Sequence, residues 1–578
     1  MKKNSLIGFN VGPVQSFIAA ARKVEDLWSG SYLLSYLTET AMKSVLKQAK
    51  TKGVEAKMVF PDRTLDMLDS NQWGDEVEVA SLPNRFVCLI EQGQEESAQF
   101  CIVAKERVYE EFLNLCKSGV DEVFKKSNVN INVLKEMVQK QVEATLEVFW
   151  VVEELGHDYN ETRHNLERHL AAIKNNLKYP QVRQEGIICS VCGSHEALRE
   201  NIPQKDDTIY LIKKELKKTW NKRNETYKST EPEDNGRIKN NEFLCGVCLG
   251  KRTSREFFRK KRKVSDKYFN YFPSTITFAE GNNYYGILLA DGDNMGKWFK
   301  GDISLLNTGS PGIELQQKIS KRLTDFSQNT VPKLVKKFGG RLIYAGGDDL
   351  LAFVPMSNIL SLALELRNAF GSKEKGLAPE ATMSAGIVIA HVEAPLKRTL
   401  NFLRDLEQTS KKYINPLTGQ GKDALSLAIL SRSGEMRTST IPWVINGNSF
   451  SGKLEDCTVT LFNTIIKAMQ EDLSSTFHYR FASAFLPLLG SNVMKKKIAV
   501  FSDEKNNREL ITIEIARLLK RSLKENSKQF DINDLASKLV MLYENMPSTL
   551  QFIHLLQIAK FFVRQEGGDK LEIAFKSS

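Results

Sequence analysis

The sequence predicts an α+β multidomain protein with two ferredoxin-like units, a helical insert bearing cysteine pairs between them, and a helical C-terminal domain. Three observations predict it. From Tyr284 onward the apolar pattern changes period in the order strand, helix, strand, strand, helix, strand. A weaker copy of that order occupies the first 155 residues, and after about residue 436 helical periodicity dominates up to Phe575.

Residues 285–290 form a short apolar run suited to a buried strand. Residues 312–338 carry helical spacing through Leu315, Ile319, Leu323 and Phe326, with a break or kink expected at Pro332 and a stop at Gly339-Gly340. Residues 341–345 and 350–354 read as strands joined by the turn Gly346-Gly347-Asp348-Asp349. A helix over 358–370 and a strand over 382–390 complete the unit, and a helix near 395–413 and a strand near 424–430 extend it. In the N-terminal copy, strands are expected near 6–11, 85–90 and 145–152. The resulting map is 1–155 degenerate ferredoxin-like, 156–280 helical with cysteines, 281–435 ferredoxin-like with an intact acid turn, and 436–578 helical.

At 578 residues the chain is too long for one core, and three to five domains are expected. A hydrophobic share of 42% and a charged share of 26% exclude a disordered chain. Lysine and arginine outnumber acids by 81 to 70, an excess that favours phosphate-bearing partners or marks a solvated basic surface. Asn10, Pro13 and Gln15 interrupt what would be an export signal. No window approaches the roughly 18 apolar residues of a membrane span, so the expectation is a cytoplasmic protein without a membrane partner.

The chemistry is expected at Asp291-Gly292-Asp293, at the end of one strand, and at Asp348-Asp349, in the hairpin. A ferredoxin-like unit in which the first strand is flanked by the second and third sets these carboxylates side by side at one sheet edge. Magnesium or manganese takes such oxygen ligands, and two ions about 4 Å apart serve an in-line displacement at phosphorus. Gly346 and Gly347 allow a tight turn and close approach of a triphosphate. In the N-terminal copy Asn10 stands where the later unit has Asp291, and no glycine-glycine-acid turn follows, so metal chemistry is expected to be lost there.

Four of the eight cysteines form two CxxC pairs, Cys189/Cys192 and Cys245/Cys248, separated by 52 residues. Two such turns present four thiolates to a structural zinc ion. Cys88, Cys101, Cys116 and Cys457 read as buried free thiols.

These residues resemble a known family, the large polymerase-like subunit of type III CRISPR effector complexes, in its III-B (Cmr) branch. The stretches GFNVGPVQSFIAAARKVEDLWSGSYLLS, LPNRF, LLADGDNMGKW, YAGGDDLLAFVP and SAGIVIAH carry the likeness over most of the first 430 residues. The resemblance implies two palm (nucleotidyl cyclase-like) domains, the second retaining the metal site. It implies joining of ATP into cyclic oligoadenylate messengers when target RNA is bound, within a ribonucleoprotein that holds guide CRISPR RNA. Asp291 and Asp348 would then be metal ligands and Asp349 a further acid. Gly292, Asp293, Gly346, Gly347 and Ser384 would lie at the nucleotide, Lys411 or Lys412 would hold triphosphate, and Ser29-Gly30-Ser31 would approach nucleotide from the first palm. The C-terminal helices would dock a small helical subunit.

Many members of that family begin with an HD nuclease domain. Here His157 is the first histidine and lies beyond the first palm, so His157-Asp158, His164 and His169 read as an incidental helical cluster, and no HD nuclease activity is expected. The basic residues Lys251, Arg252, Arg255, Arg259, Lys260, Lys261, Arg262 and Lys263, interleaved with Phe257, Phe258 and Tyr268, read equally well as an RNA-tracking stripe or a solvated helix face. Rival functions are transfer of AMP from the same site to another acceptor such as S-adenosylmethionine, or an idle RNA-binding scaffold. Diguanylate cyclases are a further alternative, disfavoured because Asp349 is followed by Leu350 rather than by acid and phenylalanine.

Overall fold

A computed structural model describes residues 3–576 except 70–80, 177–184, 202, 205–206, 229–237, 263–273, 282, 302–311, 446–456, 475, 490–504, 526 and 528–530. The chain forms two compact units, one of Met1–Ser274, Asn294–Pro332 and Ile343–Gly347, the other of Thr275–Asp293, Lys333–Leu342 and Asp348–Ser578. Among the described residues no helix is long and apolar enough to cross a membrane.

The first unit contains a four-stranded sheet of order β2-β3-β1-β4, built from β1 (Ser5–Gly12), β2 (Ala56–Phe60), β3 (Arg85–Ile90) and β4 (Glu147–Glu154). Helices α1 (Gln15–Ala19) and α2 (Val24–Thr51) link β1 to β2, α3 (Leu65–Asp69) lies before β3, and α4 (Gln94–Phe124) with α5 (Ile131–Thr145) links β3 to β4. The expected duplication is therefore present as architecture, with one strand more than the sequence pattern reveals. Short β2, with Lys57 exposed, carries too weak an alternation to read. Leu6, Val59, Val87 and Val151 pack with Leu166 and Leu170 of α6 (Tyr159–Asn175), and Phe299 joins them edge-on to Phe60 at 5.5 Å.

The six-stranded sheet has the order β10-β9-β8-β5-β7-β6, from β5 (Tyr284–Gly292), β6 (Arg341–Ala345), β7 (Asp349–Pro355), β8 (Met383–His391), β9 (Ala424–Leu430) and β10 (Met436–Pro442). This corrects the expected strand order. β5 is flanked by β7 and β8, both antiparallel to it, rather than by the second and third strands of the unit. The hairpin turns its second strand onto β5, and because that strand runs antiparallel its first residue still meets the last residues of β5. β10 is a further correction, since residues after 435 were expected to be helical. Its polar Arg437, Thr438 and Ser439 hide the strand pattern, and the last helix (Thr549–Lys576) covers it, with Gln551 Oε1 accepting from Thr440 N at 2.9 Å. Pro332 is the second residue of the helix Val331–Lys337, which follows a π turn over Phe326–Thr330.

The first unit is held by a buried ion cluster. Arg252, on α8 (Gly246–Arg262), bonds both oxygens of Asp26 at 2.5 and 2.8 Å and reaches Glu242 at 3.1 Å, all with side chains nearly or wholly out of solvent. Burial alone would raise the Asp26 carboxyl, but the Arg252 guanidinium outweighs it and holds the group down at about 2. Its stabilising effect is complete above the ordinary carboxylate value of 3.8 and is lost as pH falls through about 2. Asp26→Asn, which leaves Arg252 short of its buried partner, is expected to cost about 3–5 kcal/mol at neutral pH. It should also flatten the acid limb of the midpoint-versus-pH curve measured by thermal denaturation; an unchanged curve contradicts the assignment.

Candidate active site and thiol cluster

The acids of the second sheet converge through strand register. Asp291 of β5 lies opposite Asp349 of β7, and Gly292 N donates to Asp348 O at 3.1 Å. Asp348 sits half-buried at this strand end. Loss of water and then the neighbouring Asp291 charge push its carboxyl up to about 7. Two carboxylates this close oppose joint ionisation unless a cation stands by. Lys411 supplies one: its Nζ bonds Asp291 Oδ2 and lies 3.6 Å from Glu407 Oε1. Burial alone would lower the Lys411 ammonium, yet Asp291 and Glu407 raise it.

Lys411 is aimed by the helix Leu396–Lys411, which crosses β8 closely. A Cβ on Gly386 would meet Glu407 N at 2.8 Å and Leu403 O at 2.9 Å, so glycine permits the approach. Ser410 Oγ donates to Ala385 O at 2.6 Å and meets Ser426 Oγ at 2.8 Å, fixing the helix end. Lys412, one residue on, is exposed, so the structure separates the two candidate lysines. Glu407 escaped the sequence reading, although it stands one helical turn before Lys411 on the same face.

Asp293 and Ser384, expected at the nucleotide, bond each other directly behind Asp291. Asp293 is buried, and its carboxylate accepts from Ser384 Oγ at 2.8 Å, Thr382 Oγ1 at 2.9 Å and Asp423 N at 3.1 Å. Ser384 is itself fully buried, and the pair pins the loop after Asp291. Asp423, with φ of 47°, is gripped by Arg367 at 3.0 and 2.6 Å. Trp443 Nε1 donates to Met383 O at 2.7 Å, adding a further tie to β8. Gly347 has φ of 103°, a conformation that demands glycine, and a Cβ on Gly346 would point into open space.

The first sheet repeats this corner without its acids. Val11 N donates to Asn84 O at 2.8 Å, as Gly292 N does to Asp348 O, and Asn10 lies opposite Arg85 as Asp291 lies opposite Asp349. The side chains there are amides: Asn84 Nδ2 donates to Val11 O at 3.0 Å and reaches Asn10 Oδ1 at 3.4 Å. Ser29-Gly30-Ser31 lies inside the continuous helix α2. Ser29 and Ser31 are buried, Ser29 Oγ meets Ser254 Oγ at 2.8 Å, and Gly30 lets the Lys251 side chain pass.

Cys189, Cys192, Cys245 and Cys248 come together, with Sγ atoms all within 4.8 Å of one another. Cys192 Sγ and Cys245 Sγ are 3.8 Å apart, the edge of a sulfur tetrahedron around zinc at about 2.3 Å. Backbone N–H groups of Val191, Ser194 and Cys248 point at sulfur at 3.3–3.4 Å, as thiolates require. The turns are tied together by Ser190 N on Phe243 O at 2.8 Å and Leu198 N on Leu244 O at 2.8 Å, while Gln141 of α5 clamps Gly246 N and Glu196 O. The other four cysteines are buried and free, as expected.

The basic stripe after Cys248 is largely structural. Lys251 is buried, donating to Phe17 O and Ala20 O at 2.7 Å, and Arg252 is spent on Asp26 and Glu242. Lys260 and Lys261 pair with Glu122 and Glu111, while Phe258 packs on Tyr32 and Tyr36. Lys263 and Tyr268 lie outside the described residues. In the histidine cluster, Asp158 caps α6 and His169 bonds Glu153.

Structural and site acids are separable by experiment. Asp293→Ala removes an acceptor of three internal hydrogen bonds and is expected to cost roughly 3 kcal/mol, whereas Asp348→Ala relieves like-charge repulsion and should leave the midpoint unchanged or raised. Calorimetric melting of both variants checks this, and equal losses contradict it.

Known proteins resemble the chain in both sheet-bearing regions. Residues 284–425 match the family profile described as Cas10/Cmr2, second palm domain, and residues 6–125 match that of CRISPR-associated protein Cmr2, N-terminal. The Cmr subunit Cmr2 of Pyrococcus furiosus is 26% identical over 567 aligned residues, covering 77% of this chain and 63% of that protein. Cmr2 of Saccharolobus solfataricus is 27% identical over 239 residues, 37% of this chain and 22% of that one. The chain thus spans less than two thirds of the length of these relatives. Two cryo-EM structures of type III-B Cmr-beta, apo and bound to cognate target RNA, share the fold over 97% of this chain and 82% and 83% of theirs, with TM-scores of 0.62 and 0.63 at 15% and 16% identity. With a second palm domain and an N-terminal domain each matched by a family profile, the chain is similar over most of its length to the Cmr2-like large subunits of the type III-B CRISPR class.

Proposed function

We propose that this chain is the catalytic large subunit of a type III-B RNA-guided antiviral complex and joins ATP through 3′–5′ links into cyclic oligoadenylates when target RNA is bound. The observation that carries the reading is the meeting of Asp291 and Asp348 at one strand end with Lys411 beside them. Its setting is supported by the likeness to Cmr-beta, one of whose structures holds cognate target RNA.

Asp291 and Asp348 would hold magnesium or manganese, with Asp349 a further acid; the raised Asp348 carboxyl fits a pair that needs a cation between its members. When bound, two such ions lower the pKa of an attacking hydroxyl and neutralise the leaving pyrophosphate. Lys411 contributes a fixed positive charge for the triphosphate, and Glu407 keeps that ammonium protonated and aimed. Gly346 and Gly347 leave the hairpin backbone open to phosphate oxygens, and Gly292 extends the same bare surface from β5. The four-cysteine cluster would hold structural zinc. Guide and target RNA, the other III-B subunits and a small helical subunit at the C-terminal helices complete the proposed assembly.

Mass spectrometry of products made by the purified complex with target RNA, ATP and manganese tests the reading. Cyclic oligoadenylate is expected, falling by at least roughly 100-fold in Asp348→Ala plus Asp349→Ala. A conjugate formed only with S-adenosylmethionine would replace it with AMP transfer, and products unchanged by the double variant would leave a scaffold. For the cysteines, elemental analysis should find one zinc per chain, lost with a lowered melting midpoint in Cys245→Ser plus Cys248→Ser; full stability without zinc contradicts the assignment.

A further inference from the structure

Lys251, Arg252, Lys260 and Lys261 of the stripe after Cys248 are engaged in internal contacts, and among the described residues of the insert a further line of lysines lies on α7 (Ile209–Asn221). This helix is anchored at one end. Trp220 is buried, its Nε1 donating to Leu198 O at 3.0 Å and its ring edge-on to Phe124 at 5.5 Å, with Leu216 and Thr219 buried beside it. The opposite face and the N-terminal half stand in solvent, where Ile209 and Tyr210 are 74% and 73% exposed. At 100° per residue, Tyr210, Lys213, Lys214, Lys217 and Asn221 fall within an arc of about 100°, and the stripe runs roughly 16 Å along the axis.

Lys213, Lys214 and Lys217 are exposed, and none forms an ion pair among the described residues. Their neighbours do: Lys218 pairs with Glu215, and Lys222 with Glu200. The stripe therefore presents three exposed ammonium groups, none in an ion pair among the described residues, in line with one exposed aromatic face. That chemistry suits a chain of phosphates with unstacked bases: lysines track the backbone, and a base stacks on the tyrosine without sequence readout. An acidic protein surface would use the lysines but leave a ring so exposed without a role.

We propose that the exposed face of α7 is a binding surface for single-stranded RNA, with Lys213, Lys214 and Lys217 contacting phosphates and Tyr210 stacking a base. The choice of RNA rests on the function proposed above; the phosphate-and-base chemistry does not.

The test uses the full chain and a fluorescein-labelled 20-nucleotide oligouridylate, with affinity read by anisotropy across a potassium chloride series. The variants are Lys213→Gln/Lys214→Gln/Lys217→Gln and, separately, Tyr210→Ala; all four positions are exposed, and melting curves confirm folding. The triple variant should bind at least roughly tenfold more weakly and lose about 2 from the slope of log affinity against log salt, at about 0.7 per phosphate contact. Tyr210→Ala should weaken binding by about tenfold with the slope kept. Unchanged affinity and slope in the triple variant would make the stripe a solvated face and overturn the proposal. Oligodeoxyuridylate bound as tightly, and lost in step, would overturn the assignment to RNA. Repeating the series in Asp348→Ala keeps this outcome separate from the palm reaction, since α7 binding should persist whether or not that site is active.

Discussion

Antiparallel pairing of β5 with β7 is the constraint on which the functional reading depends. It lines Asp291 up with Asp349 and ties Gly292 N to Asp348 O, so acids more than fifty residues apart in sequence share one sheet corner. The pairing is apolar through Ile287, Leu288, Leu351 and Phe353, all buried, and that burial holds against the repulsion it creates at the strand ends. Lys411 supplies the compensating charge, while Asp293, Ser384, Thr382 and Asp423 lock the backbone immediately behind. Rigid support around a strained charge arrangement is what an ion-binding site needs.

The N-terminal sheet shows what the same backbone does without that charge. Its strand order matches, as does the hydrogen bond at its corner, but amides and an arginine replace the three acids. Asn84 Nδ2 donates to Asn10 Oδ1 and to the adjacent Val11 carbonyl, so neutral amides hold this corner where the other sheet has acids. Buried charge is used instead to join α8 to α1 and α2, where Lys251 reaches the carbonyls of Phe17 and Ala20 and Arg252 reaches Asp26, just past the second cysteine pair. Zinc in the thiol cluster would set the start of α8 and, through these two residues, the seating of α1 and α2.

Sequence periodicity reads this fold well where a strand is apolar and bounded by turn residues. Arg341–Ala345, Arg85–Ile90 and Ala424–Leu430 match to the residue because glycine, proline or a charged run marks their ends. It fails at Ala56–Phe60 and Met436–Pro442, edge strands whose burial comes from helices distant in sequence. Strand order was misread because the hairpin pattern shows which strands are sequential and says nothing of which one turns onto β5. Within the site, Asp291, Asp348 and Asp349 are legible from their glycine-rich setting. The division of labour between Asp291 and Asp293, or Lys411 and Lys412, depends on one residue of phase along a strand or helix. Only packing decides that phase, as it decided that Lys251 and Arg252 face inward.

The account turns on whether this carboxylate corner holds divalent ions beside a triphosphate. Anomalous scattering from crystals of the protein grown with manganese and a non-hydrolysable ATP analogue measures it directly. The account predicts manganese peaks in contact with Asp291 and Asp348, with analogue phosphates at Lys411. Manganese absent from that corner while the analogue is bound, or both seated away from β5 and β7, would contradict it.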